Sequence, residues 1–174
     1  MSMRILKTHY DPYLKPHRDK TMFTRLCTRS IAIQGDEILL MYTARYDDYS
    51  LPGGGLDKDE NEIVGMKREL SEETGAQNIQ NIKPFGIYEE YRPWYKPDFD
   101  VQHMISYCYT CDIDRELGNS NLESYEIKNG MKALWINIHK AIAHNKITMA
   151  NSNKKGMSIE RETFLLELIA ENLK

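Results

Sequence analysis

Cysteine is scarce in this chain. Cys27, Cys108 and Cys111 are the whole complement, an odd and low number that excludes a disulfide framework and fits a reducing, cytoplasmic compartment. Long hydrophobic runs are missing too. No stretch approaches the roughly 18 apolar residues of a membrane span, and the start, Met1 to Lys7, lacks the apolar block of a secretory signal. A basic excess is also absent: 26 Asp plus Glu stand against 23 Lys plus Arg, for a net charge of -3. That balance disfavours a partner such as duplex nucleic acid, which is held by surplus cations. There are no repeats and no low-complexity tracts. What remains is ordinary globular composition, 41% hydrophobic and 28% charged over 174 residues, enough for one domain spanning 1–174.

The pattern along the chain predicts alternating strands and helices. Residues 1–24 are polar, carry Pro12 and Pro16, and read as an N-terminal extension that wraps the domain or a partner subunit. Arg25 to Gln34 and Glu37 to Thr43 read as two strands joined by a tight turn at Gly35 and Asp36. Tyr46 to Gly55 reads as a loop, Glu60 to Thr74 as a helix stopped by Gly75. Ile79 to Glu90 and Phe99 to Ile113 read as strands, and Asp114 to Gly130 as loop. Met131 to Ile136 is a short strand, Ile138 to His144 a short helix, and 158–174 an amphipathic C-terminal helix with Ser158 as N-cap. Cys108 and Cys111 form a C-x-x-C inside a strand. Residues three apart there point to opposite faces, so the thiols belong to the core and not to a metal or redox site. The five histidines show no ligand spacing, and His103 reads as a satisfied strand residue.

The acids are concentrated. Between Asp57 and Glu73 seven acids face three bases. Helical geometry puts Glu62, Glu69 and Glu73 on one side with Glu72 beside them, while Ile63, Met66 and Leu70 form a separate apolar stripe. Carboxylates a turn apart repel unless something neutralises them. A solvated helix face is one reading. A site for a hard divalent cation is the other, and oxygen-only ligands suit Mg²⁺ or Mn²⁺ better than zinc. Arg68 can orient a carboxylate bidentately. The glycines just before the helix allow close backbone approach. Gly65, inside the helix, would clear space beside the acids for a metal or phosphate.

Gly54 through Ala76 reads GGLDKDENEIVGMKRELSEETGA. It resembles the signature of the Nudix hydrolases (MutT-like proteins), G-x5-E-x7-R-E-U-x-E-E-x-G-U with U aliphatic. Gly54, Glu60, Arg68, Glu69, Leu70, Glu72, Glu73 and Gly75 fall at the required spacing; Ala76 departs from the larger aliphatic expected last. The resemblance implies an α/β/α sandwich with a mixed β-sheet, and hydrolysis of a diphosphate linkage in a nucleoside diphosphate derivative. It implies Mg²⁺ (or Mn²⁺) held by Glu69, Glu72 and Glu73, with Arg68 orienting them and Glu60, Gly54 and Gly75 supporting the site. Gly53 matches a position whose carbonyl ligates metal. A further carboxylate from a late loop is expected, with Glu126 and Glu123 as candidates. Glu69 or Glu73 would take the proton from the attacking water.

The signature says little about the rest of the substrate. Arg45 and Tyr46, ahead of the glycines, are candidates to meet a phosphate or a base edge. Tyr91 and Trp94, in an aromatic cluster with Tyr88, Arg92 and Tyr95, would stack on a base. Alternatively these aromatics pack against the N-terminal extension or the second subunit of a homodimer. Lys154 and Lys155 in the loop from Thr148 to Gly156 would form a basic lid or a plain connector. The expectation is a cytoplasmic, metal-dependent hydrolase of a soluble nucleotide. A nucleoside triphosphate, including an oxidised one, is favoured over ADP-ribose or another nucleotide sugar. A non-catalytic nucleotide-binding module on the same fold is the competing class.

Overall fold

The computed structural model describes residues 3–14 and 20–173. Pro16 and His17 of the expected extension lie outside the described residues, as does Lys174. In chain order the described elements are β1 (Ile5–Tyr10), β2 (Met22–Gln34), β3 (Glu37–Thr43), β4 (Asp48–Ser50), β5 (Gly53–Gly55), α1 (Glu62–Thr74), β6 (Gln80–Pro93), β7 (Val101–Asp112), α2 (Ser124–Lys128), β8 (Met131–Asn137), α3 (Ile138–Asn151) and α4 (Ile159–Glu171).

The long β2 is the spine of a mixed sheet. Most of its length runs parallel to β7, from Met22 opposite Val101 to Ala32 opposite Cys111. Its far end turns through Gly35 and Asp36 into antiparallel β3, and its middle, Cys27 to Arg29, also pairs with β5. The strand order is β1-β6-β7-β2-β3-β4, with β8 paired to β3.

Strand alternation sorts the core into two layers. Ile31, Ile38, Leu40 and Cys108 face Ile138 and Ala141 of α3 and Leu165, Leu166 and Ile169 of α4. Their strand neighbours Ala32, Leu39, Tyr109 and Cys111 face Met66 and Leu70 of α1. Helices therefore cover both faces, giving the expected α/β/α sandwich. The two C-x-x-C thiols lie in opposite layers, buried and unbonded.

Several expectations change. Residues 5–10 do not merely wrap the domain: β1 is a parallel edge strand on β6, and Met22 to Thr24 belong to β2. The segment 46–55 is not all loop, because β4 continues the β3 hairpin and β5 docks on β2. Within 114–130, α2 forms one short turn. The C-terminal helix starts at Ile159, and Ser158 makes no side-chain cap.

A buried ion cluster ties α4 to the sheet near the site. Arg161 donates to Glu90 of β6 at 2.8 Å and to Glu162 at 3.1 Å, while Glu162 accepts the Leu51 amide at 2.9 Å. A buried pair is costly unless its remaining oxygens are bonded, and here they are. The cluster fixes the strand-to-strand link that leads into Gly53.

Candidate active site

α1 is set at both ends by its own sequence. The Asn61 side chain accepts from the Ile63 and Val64 amides at 2.9 and 3.3 Å, capping the first turn. Gly75 ends the helix at φ 73°, where its amide reaches Ser71. Between these ends Met66 and Leu70 are fully buried against β2 and β3. Burying each side chain is worth about 1.5–3 kcal/mol. That anchoring turns the adjacent stripe, Arg68, Glu69, Glu72 and Glu73, toward β5.

Arg68 is the hub of the stripe. It donates from Nε and Nη2 to the two oxygens of Glu60, at 2.8 and 2.9 Å. From Nη1 it reaches one oxygen of Glu69 at 3.0 Å and one of Glu72 at 3.2 Å. Nη2 also reaches the Gly55 carbonyl at 3.2 Å, linking α1 to β5. The bidentate contact, with the Asp57 amide on the other side, holds the Glu60 carboxyl down at about 2. For Glu69, burial outweighs Arg68 and pushes the carboxyl upward. A Cβ on Gly54 would stand 2.6 Å from the Glu69 carboxylate, so a glycine there lets this carboxylate lie against the strand.

Glu73 sits deepest. One of its oxygens accepts the Gly53 amide at 2.9 Å. Burial drives its carboxyl well above the ordinary range; the amide opposes this, and Glu126 beside it adds to the rise. Glu126 is itself buried, held by a capping box in which it accepts the Glu123 amide at 2.8 Å. Glu123 is exposed. The short α2 thus delivers one of the two candidate loop acids to Glu73.

These acids open onto a cleft of about 700 Å³ lined by Gly53, Gly54, Glu73 and Glu126. Arg25, Arg29, Arg92, Arg161 and Lys155 line the same cleft. Carboxylates and cations thus share one lining, as an anion bridged to cations requires. The model of the NUDIX domain matches residues 25–158.

The chain belongs to the Nudix family.

It is 51% identical over 39 residues to the 8-oxo-(d)GTP phosphatase of Mycolicibacterium smegmatis, covering 22% of this chain and 12% of that one. It is 31% identical over 120 residues to a diphosphoinositol polyphosphate phosphohydrolase of Homo sapiens, covering 67% of this chain and 58% of that one. The chain therefore spans less than two thirds of either curated relative. A NUDIX hydrolase from Nitrosomonas europaea superposes with a TM-score of 0.59 at 16% identity, over 85% of this chain and 90% of that one. That likeness shows a shared fold.

Nudix hydrolases use divalent metal ions. Among the described residues no three acids, histidines or cysteines are already gathered in metal-binding geometry. The donor chemistry still fits. Glu69, Glu72, Glu73 and Glu126 offer only hard oxygens. Arg68 holds one oxygen of Glu69 and one of Glu72, and the Gly53 amide holds one of Glu73. Each of these three carboxylates keeps a second oxygen. The buried approach of Glu73 to Glu126 is a like-charge contact that a divalent cation relieves.

The other expected Nudix-site residues divide. Tyr46 lines the cleft, with Gly156 packed on its ring. Arg45 is exposed, bonded to Asn129 at 3.1 Å, and does not line the cleft. Tyr91 has both ring faces covered, by Tyr10 at 4.7 Å and His103 at 4.4 Å, each stacked nearly parallel. It has no free face for a base. Trp94 packs edge-on against Phe23 and bonds Asp98 at 2.9 Å; it too lies outside the cleft lining. These two aromatics pack on the chain's own N-terminal strands. Gly65 clears room not for a metal but for Leu56 and Glu60: a Cβ there would lie 2.2 Å from Leu56.

Sequence reasoning missed the basic wall. Arg25 and Arg29 sit four residues apart on β2, beside its pairing with β5. Period-two spacing, Arg25, Cys27, Arg29, Ile31, was the available signal: it places both arginines on one face of a strand that ends in the core. The buried Nε of Arg29 has no hydrogen-bond partner among the described residues, and its charge already acts on Glu73.

Proposed function

We propose that this Nudix protein works as one domain over residues 1–174 and hydrolyses a diphosphate linkage in a nucleoside diphosphate derivative. The favoured substrate is a nucleoside triphosphate, oxidised forms included, cut to monophosphate plus pyrophosphate. The observation that carries the reading is the cleft lined by Glu73 and Glu126 together with Arg25 and Arg29, beside the Glu69 and Glu72 that Arg68 holds. The match to the mycobacterial 8-oxo-(d)GTP phosphatase supports the same substrate class.

Glu69, Glu72, Glu73 and Glu126, with the Gly53 carbonyl, would hold Mg²⁺ or Mn²⁺. A divalent ion held there would supply positive charge to the phosphate oxygens and lower the pKa of a water molecule. Arg68 sets the directions of Glu69 and Glu72 through one guanidinium, and Glu60 fixes Arg68. Arg29 and Arg25 take the charge of the phosphate oxygens that face away from the acids. Glu73 or Glu69, both pushed upward by burial, is the group that accepts the water's proton. The segment offers no Ser or Cys beside a base, so attack is by water, not by a side chain. The cytoplasm is the expected compartment; no helix among the described residues is long and apolar enough to cross a membrane.

The test is a nucleotide panel with Mg²⁺, reading pyrophosphate and inorganic phosphate separately. Pyrophosphate release from triphosphates supports the reading. Inertness toward every triphosphate and nucleotide sugar overturns it in favour of a binding module.

A further inference from the structure

A second cavity, of about 390 Å³, opens between the end of β1, the outer part of β6 and the loop entering α4. It shares Arg92, Lys155, Gly156, Met157 and Arg161 with the catalytic cleft. The two are one trough, divided by cations. Their chemistry differs. The second cavity is walled by Tyr13, Tyr88, Met149 and Met157, with His9, Asp11 and Glu160 at its polar edge. Tyr13 and Met157 are 86% and 67% exposed. Large apolar side chains left open beside a cavity are the usual wall of a ligand pocket.

Charge gives the trough a direction. Asp11 and Glu160 would repel a phosphate in the second cavity, whereas Arg25 and Arg29 attract one in the cleft. The carboxylates suit a ligand with N–H donors at its edge, since an ionised carboxylate only accepts. Asp11 uses one oxygen to accept the Tyr13 amide at 2.8 Å, which fixes the turn that presents the Tyr13 ring. The His9 ring lies 4.0 Å from Glu160, too far to satisfy it with a direct hydrogen bond. The cavity volume lies at the small end of ligand pockets, suiting a nucleoside and not a dinucleotide.

We propose that this second cavity is the base subsite: the nucleobase lies against Tyr13 and Met157, and its phosphates run past Lys155 and Arg92 to the glutamates. This rests on the cleft being a diphosphate-hydrolysing site. It assigns base recognition to the N-terminal segment and to the loop before α4; Tyr91 lines this cavity too, but Tyr10 and His103 cover its ring faces.

The probes are guanosine monophosphate, which offers adjacent N–H donors, and pyrophosphate, which has no base. In the full chain, the monophosphate shifts the amide resonances of His9, Tyr13 and Met157, and pyrophosphate leaves them in place. Tyr13→Ala and Met157→Ala, both at exposed positions that folding does not need, weaken monophosphate binding about tenfold, within the range of base stacking. Tyr13→Ala, which lies outside the cleft lining, leaves pyrophosphate affinity unchanged. With substrate, KM rises by the same factor while kcat stays within about twofold. Unchanged monophosphate affinity in both variants, or resonance shifts that avoid these residues, overturns the proposal. If the wild type turns over nucleotides and the variants keep its KM, the base subsite is wrong and the hydrolase stands. If the wild type cleaves nothing but the monophosphate shifts appear, the hydrolase is wrong and the base subsite stands.

Discussion

Arg68 meets Glu60 through two parallel hydrogen bonds, Nε to Oε2 at 2.8 Å and Nη2 to Oε1 at 2.9 Å. The contact spans eight positions and closes the loop ahead of α1 onto the helix. Only with Arg68 fixed in this plane does its remaining nitrogen reach Glu69 and Glu72. Glu60→Gln replaces one acceptor with an amide donor and breaks the fork. Turnover should fall by about 10–100-fold, the usual loss when a group behind a metal ligand is removed. The far-UV circular dichroism should not change. Arg68→Lys should not rescue activity, because an ammonium cannot make the planar fork.

Glu73 and Glu126 are buried side by side, and Glu126 adds to the upward push on the Glu73 carboxyl. Removing one charge should relieve the fold and impair the chemistry. Glu126→Gln should raise the melting temperature in chelator by about 2–4 °C, the shift of a gain near 1 kcal/mol in a chain of this length. Glu73→Gln should lower turnover by about a hundredfold or more, as expected when a metal and its activated water are lost. A Glu73→Gln enzyme with full activity would remove this residue from the mechanism.

The contrast between Glu73 and Tyr91 shows what was legible in the sequence. Helical periodicity and the glycine-rich lead-in marked Glu73 and its neighbours, because their roles follow from spacing within one element. The core was legible for the same reason: Ile38, Leu39 and Leu40 alternate between layers as a central strand must. Tyr91 was different. Its fate depends on β1, an edge strand whose residues Ile5 to Tyr10 include none that is fully buried and so carry little alternating signal. Once β1 docks parallel to β6, Tyr10 covers one face of Tyr91 and His103 of β7 covers the other. Cross-strand neighbours of that kind cannot be read from local pattern. Arg29 joins Glu73 by the same long-range pairing, β2 with β5. Glu126 was a candidate only through the family resemblance; the one-turn α2 that separates it from Glu123 had no periodic signature long enough to see.

Arg29 lines the cleft, and its buried Nε has no partner among the described residues. A bond from such a donor to a phosphate is charge-assisted, worth about 1.5–3 kcal/mol. Arg29→Met should therefore raise KM for a triphosphate by about 10–100-fold. Steady-state kinetics and a thermal melt on the same variant separate lost binding from lost folding. A KM equal to that of wild type would assign the phosphate contact elsewhere.

Asp48, buried at the start of β4, is pushed up to about 6 by burial first and then by Glu162 and Asp47. Its folded value lies above its unfolded one, so between about pH 4 and about pH 6 the folded state holds a proton that the unfolded chain has released. Stability should fall as pH rises through that window, by about 1–2 kcal/mol after allowance for partial solvent access. Asp48→Asn should flatten this part of the profile and gain most above about pH 6. Urea denaturation of both proteins across the window reads the difference directly. A slope that persists unchanged in the variant would acquit Asp48.

The central claim is that water, activated among Glu69, Glu73 and Glu126, attacks phosphorus inside a diphosphate linkage. Product analysis of a nucleoside triphosphate hydrolysed in heavy-oxygen water with Mg²⁺ tests it most directly. The account predicts nucleoside monophosphate and pyrophosphate, with the heavy oxygen on one phosphorus and none on a sugar carbon. Release of inorganic phosphate alone, or label on carbon, would contradict it.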